Sequence, residues 1–188
     1  MAMEAAVFID KDGTLIPDIP YNTDPDLIDI NKEAIEGLIA LCRRQYKLII
    51  VSNQAGIACG YFEEEAMIAV ENKLRSLLQS SGISLTGFYF CPHYVNGIID
   101  EYAVDCFCRK PSPGMLLHAA EVHQIDLSRS WMIGDILNDV EAGNRAGCKT
   151  ILIDNGNETE WIINEKRIAD YTVKDLRQAA EIIIGSGV

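Results

Sequence analysis

The segment Leu48-Ile49-Ile50-Val51 decides how the chain folds, because it is an unbroken run of apolar and mostly β-branched residues. A strand with one face in water alternates apolar and polar residues, whereas a strand covered by helices on both faces is apolar throughout. This run therefore predicts a central strand of a parallel sheet. Parallel strands must be joined by long crossover connections, which are usually helices.

The rest of the chain supplies those crossovers, since strand-like and helix-like segments alternate along it. Further strands are predicted at residues 5–9, 88–90, 131–133 and 150–153. Apolar spacing and helix-start signals predict helices at residues 32–44, 63–78, 113–123, 136–146 and 175–184. This alternation predicts a doubly wound α/β fold, with a mostly parallel sheet and helices on both faces. Ligands of such folds bind at the carboxyl ends of the strands.

Size and charge indicate one domain and exclude several kinds of partner. The 188 residues are the length of a single domain, to which we assign residues 1–188. Acidic residues outnumber basic ones 28 to 16, and the net charge of −12 argues against a nucleic-acid partner. No apolar run reaches the roughly 18 residues of a membrane helix. The N-terminal segment lacks a signal-peptide pattern, so we expect a cytoplasmic protein, and we expect a monomer.

The first predicted strand runs into residues 10–14, Asp-Lys-Asp-Gly-Thr. Asp10 and Asp12 are two residues apart, so both project from the same side of an extended backbone. Paired carboxylates bind a hard cation such as Mg²⁺, or divide the roles of nucleophile and general acid/base between them. An ordinary Asp-Gly turn would give the same sequence, and this pair alone favours that interpretation.

Two further segments carry groups that bind anions. Residues 52–54, Ser-Asn-Gln, follow the second strand and offer a hydroxyl and two amides to phosphoryl oxygens. Arg109 and Lys110 are adjacent cations in an acidic chain, and they precede the helix predicted at 113–123. Arginine binds phosphate through two parallel hydrogen bonds, and lysine supplies a point charge. Each segment alone also fits a polar loop or solvated surface charge.

A third carboxylate follows the fourth strand. Asp135 comes directly after Gly134, and Asp139 lies about one helical turn later on the same face. Because parallel strands end at the same edge of a sheet, Asp135 is expected beside Asp10, where it completes a magnesium site. Asp135 alone would also fit a helix cap. Four polar clusters at one edge of the sheet favour a functional site over four unrelated loops.

These segments resemble the four motifs of the haloacid-dehalogenase-like (HAD-like) phosphohydrolase superfamily. Residues 8–15 are similar to its first motif, Ser52 to its second, Lys110 to its third, and Gly134-Asp135-x-x-x-Asp139 to its fourth. The resemblance covers nearly the whole chain. It implies a HAD-like Rossmannoid fold without a large cap domain, and an enzyme that hydrolyses phosphoric monoesters.

The resemblance also implies a role for each motif residue. Asp10 is then the nucleophile that forms an aspartyl-phosphate, and Asp12 protonates the leaving oxygen and afterwards activates water. Ser52 and Lys110 hold the transferring phosphoryl group. Mg²⁺ is held by Asp10, the main-chain carbonyl of Asp12, and Asp135. Phosphoryl transfer depends on positioning and charge neutralisation, and this set of groups is suited to both.

Residues 91–108 show no clear periodicity but contain a full set of zinc ligands. Cys91 and His93 are followed, after twelve residues, by Cys106 and Cys108. Three thiolates and one imidazole fill a tetrahedral Zn²⁺ site without an open position, which is typical of structural zinc. Three core cysteines and a chance histidine are the alternative. Two closely spaced pairs in one irregular segment favour a zinc loop over residues 91–108.

Within the superfamily, residues 52–58, the zinc loop and residues 108–115 are similar to those of D-glycero-D-manno-heptose 1,7-bisphosphate phosphatases. The resemblance implies hydrolysis of this small phosphorylated sugar to its 1-phosphate. The substrate contacts that it implies are Asp18, Tyr21, Asn53, Gln54 and Arg109. The chain departs from the usual pattern near the expected pocket at Ile16, Pro20 and Cys59.

Three other functions are compatible with parts of the sequence. Histidinol-phosphate phosphatases share the same motifs and are the main alternative. Polynucleotide 3′-phosphatases share the first motif, but the net charge of −12 argues against them. A zinc-ordered binding module without catalysis would be of a different class, and the intact set of motif residues argues against it.

Overall fold

The computed structural model describes residues 3–187, so residues 1, 2 and 188 of the proposed domain lie outside the described part. The strands are β1 (Ala6–Ile9), β2 (Lys47–Asn53), β3 (Leu85–Cys91), β4 (Trp131–Gly134), β5 (Lys149–Ile153) and β6 (Tyr171–Val173). The helices are α1 (Lys32–Arg43), α2 (Ala55–Ala58), α3 (Ala66–Ser80), α4 (Gly114–His123), α5 (Leu137–Ala146) and α6 (Leu176–Gly185).

The six strands form one sheet in the order β3-β2-β1-β4-β5-β6, and every neighbouring pair is parallel. From the central strand β1, the strands β2 and β3 follow in order toward one edge of the sheet. The chain then crosses back to β4, on the other side of β1, and β5 and β6 follow toward the opposite edge. The carboxyl ends of β1 and β4 flank the point where the direction changes. A crevice opens at such a switch point, and it is where ligands of these folds bind.

Helices cover both faces of the sheet, which explains why its central strands are apolar throughout. Val7 and Ile9 of β1 face the core beneath α1, α3 and α6, whereas Ala6 and Phe8 face the core beneath α4 and α5. Successive side chains of a strand point to opposite faces, so a strand covered on both needs apolar residues at every position. The predicted doubly wound fold is confirmed.

Differences from the predicted elements are confined to short or weakly patterned segments. Helix α3 begins at Ala66, three residues later than predicted, and α2 and β6 were not predicted. Four residues are too few to show a helical period, and only Val173 of the three residues in β6 is buried. Residues 3–187 include no separate cap domain.

Across residues 3–187, no helix has both the length and the apolar character needed to cross a membrane.

The start of β1 depends on one buried hydroxyl. Ser130 Oγ accepts a hydrogen bond from the Ala6 N–H (2.9 Å) and donates one to the Asp126 carbonyl (2.6 Å). Ser130→Ala leaves the Ala6 N–H buried without that acceptor, so we expect the free energy of unfolding to fall by about 1–3 kcal/mol. Urea unfolding measures this change. The exposed Ser84→Ala is the control, expected to change stability by less than about 0.5 kcal/mol; equal effects would contradict the assignment.

Candidate active site

Three buried carboxylates meet at the switch point of the sheet. Asp10 directly follows β1, and its N–H donates to the Ile133 carbonyl of β4 (2.9 Å), so the sheet pairing continues to the residue that carries the carboxylate. Asp135 directly follows β4, and Asp139 lies in the first turn of α5. Carboxylate oxygens of these three aspartates lie within 4.8 Å of one another. All three residues are less than 10% exposed.

The ammonium group of Lys110 enters this cluster from the segment before α4. Its Nζ contacts Asp10 Oδ1, lies 2.6 Å from Asp139 Oδ1 and donates to the Val51 carbonyl (3.0 Å). Burial lowers the pKa of Lys110, but the charges of Asp10 and Asp139 raise it more, so the net pKa lies above its ordinary value. Lys110 therefore brings a positive charge into contact with Asp10 and Asp139.

One ammonium lies among three carboxylic acid groups, and burial together with the neighbouring charges shifts the pKa values of the acids. Burial raises the pKa of Asp10 well above its ordinary value; Lys110 lowers it, and Asp139 and Asp135 raise it further. Burial and the charge of Asp139 raise the pKa of Asp135 to about 6. A buried set of hard oxygen ligands fits a divalent cation such as Mg²⁺.

Both oxygens of Asp135 are held by neutral donors. The Thr14 hydroxyl donates to Oδ1 (3.0 Å), and the Asn157 side-chain amide donates to Oδ2 (2.7 Å). Gly13, at φ +80°, allows this approach, because a Cβ there would lie 2.1 Å from Asp135 Oδ2. No role was predicted for Thr14 or Asn157. Asn157 lies in the polar segment after β5, and the carboxyl end of that strand was a signal that could have identified it.

Asp12 lies beside this cluster and is held separately. Its Oδ1 contacts the ammonium of Lys11 at 2.7 Å, and its Oδ2 accepts a hydrogen bond from Gln54 Nε2 at 3.0 Å. Gln54 Nε2 also lies 2.8 Å from Ser52 Oγ. Asp10, Asp12, Ser52 and Lys110 line one cavity of about 200 Å³, together with Asp135 and Asn157. The four predicted catalytic residues are thus brought together.

The predicted substrate contacts separate into two groups. Asp18, Tyr21, Asn53 and Gln54 line a second cavity of about 270 Å³, which shares Asp12, Asp18 and Asn53 with the first. The amide of Asn53 is engaged by the protein, because it bonds both the N–H (3.0 Å) and the carbonyl (2.9 Å) of Lys110. Arg109 lines neither cavity. Its guanidinium donates to the His93 carbonyl (3.0 Å) and lies 5.0 Å from the centre of the Tyr94 ring.

The four predicted zinc ligands converge on one point. The sulphur atoms of Cys91, Cys106 and Cys108 lie 2.9–3.5 Å apart, and His93 Nδ1 lies 3.3 Å from the Cys108 sulphur. Zn–S bonds of about 2.3 Å place neighbouring sulphurs of a tetrahedral site about 3.8 Å apart. The cluster is close to this spacing and much wider than a disulfide, and all three cysteines are free. The geometry and the donor set fit a structural zinc ion.

Known proteins match the chain over most of its length. A family model described as HAD-hydrolase-like matches residues 107–179. A curated D-glycero-beta-D-manno-heptose-1,7-bisphosphate 7-phosphatase from Pasteurella multocida is 38% identical over 185 residues, covering 97% of this chain and 98% of the relative. The chain belongs to the HAD-like phosphatase family. A D-glycero-alpha-D-manno-heptose-1,7-bisphosphate 7-phosphatase from Photorhabdus laumondii is 36% identical, over 81% of this HAD-like chain and 84% of the relative.

Solved structures of HAD-like proteins agree with this assignment. A HAD-like protein from Mesorhizobium loti superposes with a TM-score of 0.82 and is 31% identical, covering 96% of this chain and 88% of that one. The D,D-heptose 1,7-bisphosphate phosphatase from B. bronchiseptica, solved with magnesium and phosphate, gives a TM-score of 0.78 at 25% identity, covering 97% and 99%. The magnesium ion of that structure is consistent with the oxygen ligands of the present site.

Removing the Asn157 amide tests whether it orients Asp135. We expect Asn157→Ala to weaken Mg²⁺ binding by about 10–100-fold, the usual cost of losing a hydrogen bond to a metal ligand. The measurement is thermal stabilisation of the metal-free protein titrated with Mg²⁺. Asn164→Ala changes an exposed asparagine of the same irregular segment and should leave the affinity unchanged. Wild-type affinity in Asn157→Ala would show that Asp135 needs no such support.

Proposed function

We propose that this phosphatase removes the 7-phosphate of D-glycero-D-manno-heptose 1,7-bisphosphate and so produces the heptose 1-phosphate. The reaction passes through an aspartyl-phosphate on Asp10. The observation that carries the proposal is the position of Asp10. Its carboxylate lies at the switch point, beside the Lys110 ammonium, in a cavity that also exposes Asp12 and Ser52. The names of relatives that match most of this chain support the choice of substrate.

Asp10 is suited to act as the nucleophile. A carboxylate that attacks phosphorus must be ionised, and burial opposes ionisation here. The ammonium of Lys110, in contact with Asp10 Oδ1, lowers the pKa of Asp10 and so opposes the effect of burial in part. The attack forms the bond between an Asp10 oxygen and phosphorus and breaks the bond from phosphorus to the sugar oxygen. Lys110 then remains in place to neutralise charge on the transferring group.

Asp12 and Ser52 complete the reaction in this proposal. Asp12 gives a proton to the departing sugar oxygen, and it later takes one from the water that hydrolyses the aspartyl-phosphate. The Ser52 hydroxyl, 1% exposed and fixed beside Gln54, donates to a phosphoryl oxygen. Dividing the two tasks between Asp10 and Asp12 requires different surroundings for the two carboxylates. Asp10 is buried among charges, whereas the Asp12 side chain is 28% exposed.

Magnesium would be held by Asp10, the Asp12 carbonyl and Asp135. When bound, it neutralises charge on the phosphoryl oxygens and on the carboxylates that surround them. Thr14 and Asn157 orient Asp135 for this task. Asp139 contacts Lys110 at 2.6 Å and accepts from the Ile136 N–H at 3.3 Å, so we assign it to holding the lysine.

The zinc loop would hold Arg109, which directly precedes Lys110 in the chain. Cys91, His93, Cys106 and Cys108 would hold Zn²⁺, and the His93 carbonyl then fixes the guanidinium of Arg109. We propose that Arg109 binds the phosphate of the substrate that is not hydrolysed, since arginine and phosphate form charge-assisted pairs. The 270 Å³ cavity, with Asp18 and Tyr21 on its wall, receives the sugar.

Residues 1–188 form a single domain in this proposal, because both apolar cores pack against one sheet. A cytoplasmic location is supported by the six cysteines, none of which forms a disulfide within residues 3–187, as is usual in a reducing compartment.

The substrate assignment is tested by phosphate release in the presence of Mg²⁺. We expect wild-type protein to hydrolyse heptose 1,7-bisphosphate with a higher kcat/KM than histidinol phosphate, because histidinol brings an amine where Arg109 is the neighbouring cation. Asp10→Asn should lose hydrolysis of both by several orders of magnitude, since an amide is a poor nucleophile.

The control is Asp154→Asn, which changes an aspartate that pairs with Lys174 away from the cavities and should retain wild-type kinetics. A higher kcat/KM for histidinol phosphate would replace the proposed substrate with the alternative. Near-normal turnover by Asp10→Asn would contradict the mechanism for either substrate.

Metal analysis tests the zinc loop. We expect one Zn²⁺ per chain in freshly purified protein, and its loss in Cys106→Ser, because three ligands hold zinc far less tightly than four. Cys106→Ser should raise KM for the bisphosphate and retain the sheet. Cys42→Ser, at a half-buried thiol far from the loop, should keep its zinc. Purified wild-type protein without zinc would refute the assignment.

A further inference from the structure

Lys11 is a buried charge to which the proposed mechanism gives no role. Its side chain is 1% exposed, although it lies between the two aspartates of the first motif. Burying an ammonium group is costly unless it is paired. Among residues 3–187, Asp12 is the one acidic side chain within ion-pair distance of Lys11 Nζ.

The second oxygen of Asp12 has its own donor. Gln54 Nε2 lies 3.0 Å from Asp12 Oδ2 and 2.8 Å from Ser52 Oγ, and Gln54 is only 5% exposed. Asp12 is thus held at Oδ1 by a lysine from its own loop and at Oδ2 by an amide from the end of β2. Two donors on opposite oxygens fix the plane of a carboxylate, because rotation about the Cβ–Cγ bond would break both contacts.

The backbone beneath Asp12 is fixed as well. The Lys11 carbonyl accepts hydrogen bonds from the N–H groups of Leu15 (3.1 Å) and Ile16 (3.0 Å), and the Gly13 N–H donates to the Ile16 carbonyl (2.9 Å). The loop therefore closes on itself directly after Asp12. With both its backbone and its carboxylate held, Asp12 presents one orientation to the cavity.

We infer that Lys11 and Gln54 are positioning residues that aim Asp12 at the leaving oxygen of the substrate. This inference rests on the proposed function and refines it, since it turns Gln54 from a substrate contact into a support for Asp12. In the step concerned, the bond from phosphorus to the leaving oxygen breaks as the bond to Asp10 forms, and one proton passes from Asp12 to that oxygen. Such transfer requires hydrogen-bond distance and alignment.

Substrates with good and with poor leaving groups should respond differently to the loss of Lys11 and Gln54. A nitrophenolate leaves without a proton, whereas a phenolate or an alkoxide needs one as it departs. If Lys11 and Gln54 aim Asp12, their loss should slow substrates with poor leaving groups and spare those with good ones. A merely structural role for the two residues would affect all members of the series alike.

The experiment measures kcat/KM for phenyl phosphates of nearly constant shape, from phenyl to dinitrophenyl phosphate, in wild type, Lys11→Met and Gln54→Leu. Because kcat/KM covers only the steps up to departure of the leaving group, the later hydrolysis of the aspartyl-phosphate does not contribute. In both variants we expect kcat/KM for phenyl phosphate to fall about 10–100-fold further than kcat/KM for dinitrophenyl phosphate, a ratio within the contribution typical of a general acid. Gln54→Leu also removes a donor from Ser52, and this should add a loss common to the whole series.

Thr14→Val is the matched control, because it removes a donor from Asp135 instead of Asp12. It should lower kcat/KM by the same factor for every member of the series. If Lys11→Met does not fold, Gln54→Leu carries the test alone, since it keeps the buried ion pair.

Equal losses across the series in Lys11→Met or Gln54→Leu would overturn the inference and leave the proposed function intact. A wild-type protein that releases phosphate from no phenyl phosphate and not from heptose 1,7-bisphosphate would overturn the proposed function itself. The two failures are therefore distinguishable.

Discussion

The contact between the Lys110 ammonium and the carboxylates of Asp10 and Asp139 is the interaction on which the site depends. Burial disfavours the charged form of both a carboxylate and an ammonium group, unless the two groups form an ion pair. Here one ammonium lies among three carboxylic acid groups, so acidic groups outnumber basic ones in this cluster. A divalent cation such as Mg²⁺ would balance this excess and would favour binding of an anionic substrate.

The sheet topology creates this contact from distant parts of the chain. Asp10 and Asp135 are far apart in sequence but follow neighbouring strands, and Lys110 reaches them from the segment before α4. Small residues make the approach possible, since a Cβ at Gly134 would lie 2.1 Å from an atom of Asp139, and a Cβ at Gly13 would meet Asp135. Residues of the four motifs therefore form a single site, which lies where the order of the strands reverses.

Sequence patterns predicted the elements whose apolar residues follow directly from their burial. Leu48–Val51 is apolar at each position because it is covered on both faces, and Asp10, Ser52 and Asp135 each follow such a strand. Supporting residues were missed where the pattern is local and polar. Asn157 and Thr14 resemble ordinary loop residues, and Lys11 resembles a surface lysine until its burial is known. Asn53 and Gln54 were predicted as substrate contacts and line the second cavity, but their hydrogen bonds to Lys110, Ser52 and Asp12 follow from the fold alone.

The most direct test of this account is to trap the covalent intermediate. Protein mixed with heptose 1,7-bisphosphate and Mg²⁺ would be quenched in acid during turnover, and its peptides examined by mass spectrometry. We predict a phosphoryl group on the side chain of Asp10 in protein that is quenched during turnover. The same peptide should carry no phosphoryl group when the protein is quenched after the substrate is exhausted. Rapid turnover with no phosphorylated aspartate at any quench time, or a phosphoryl group on another residue, would contradict it.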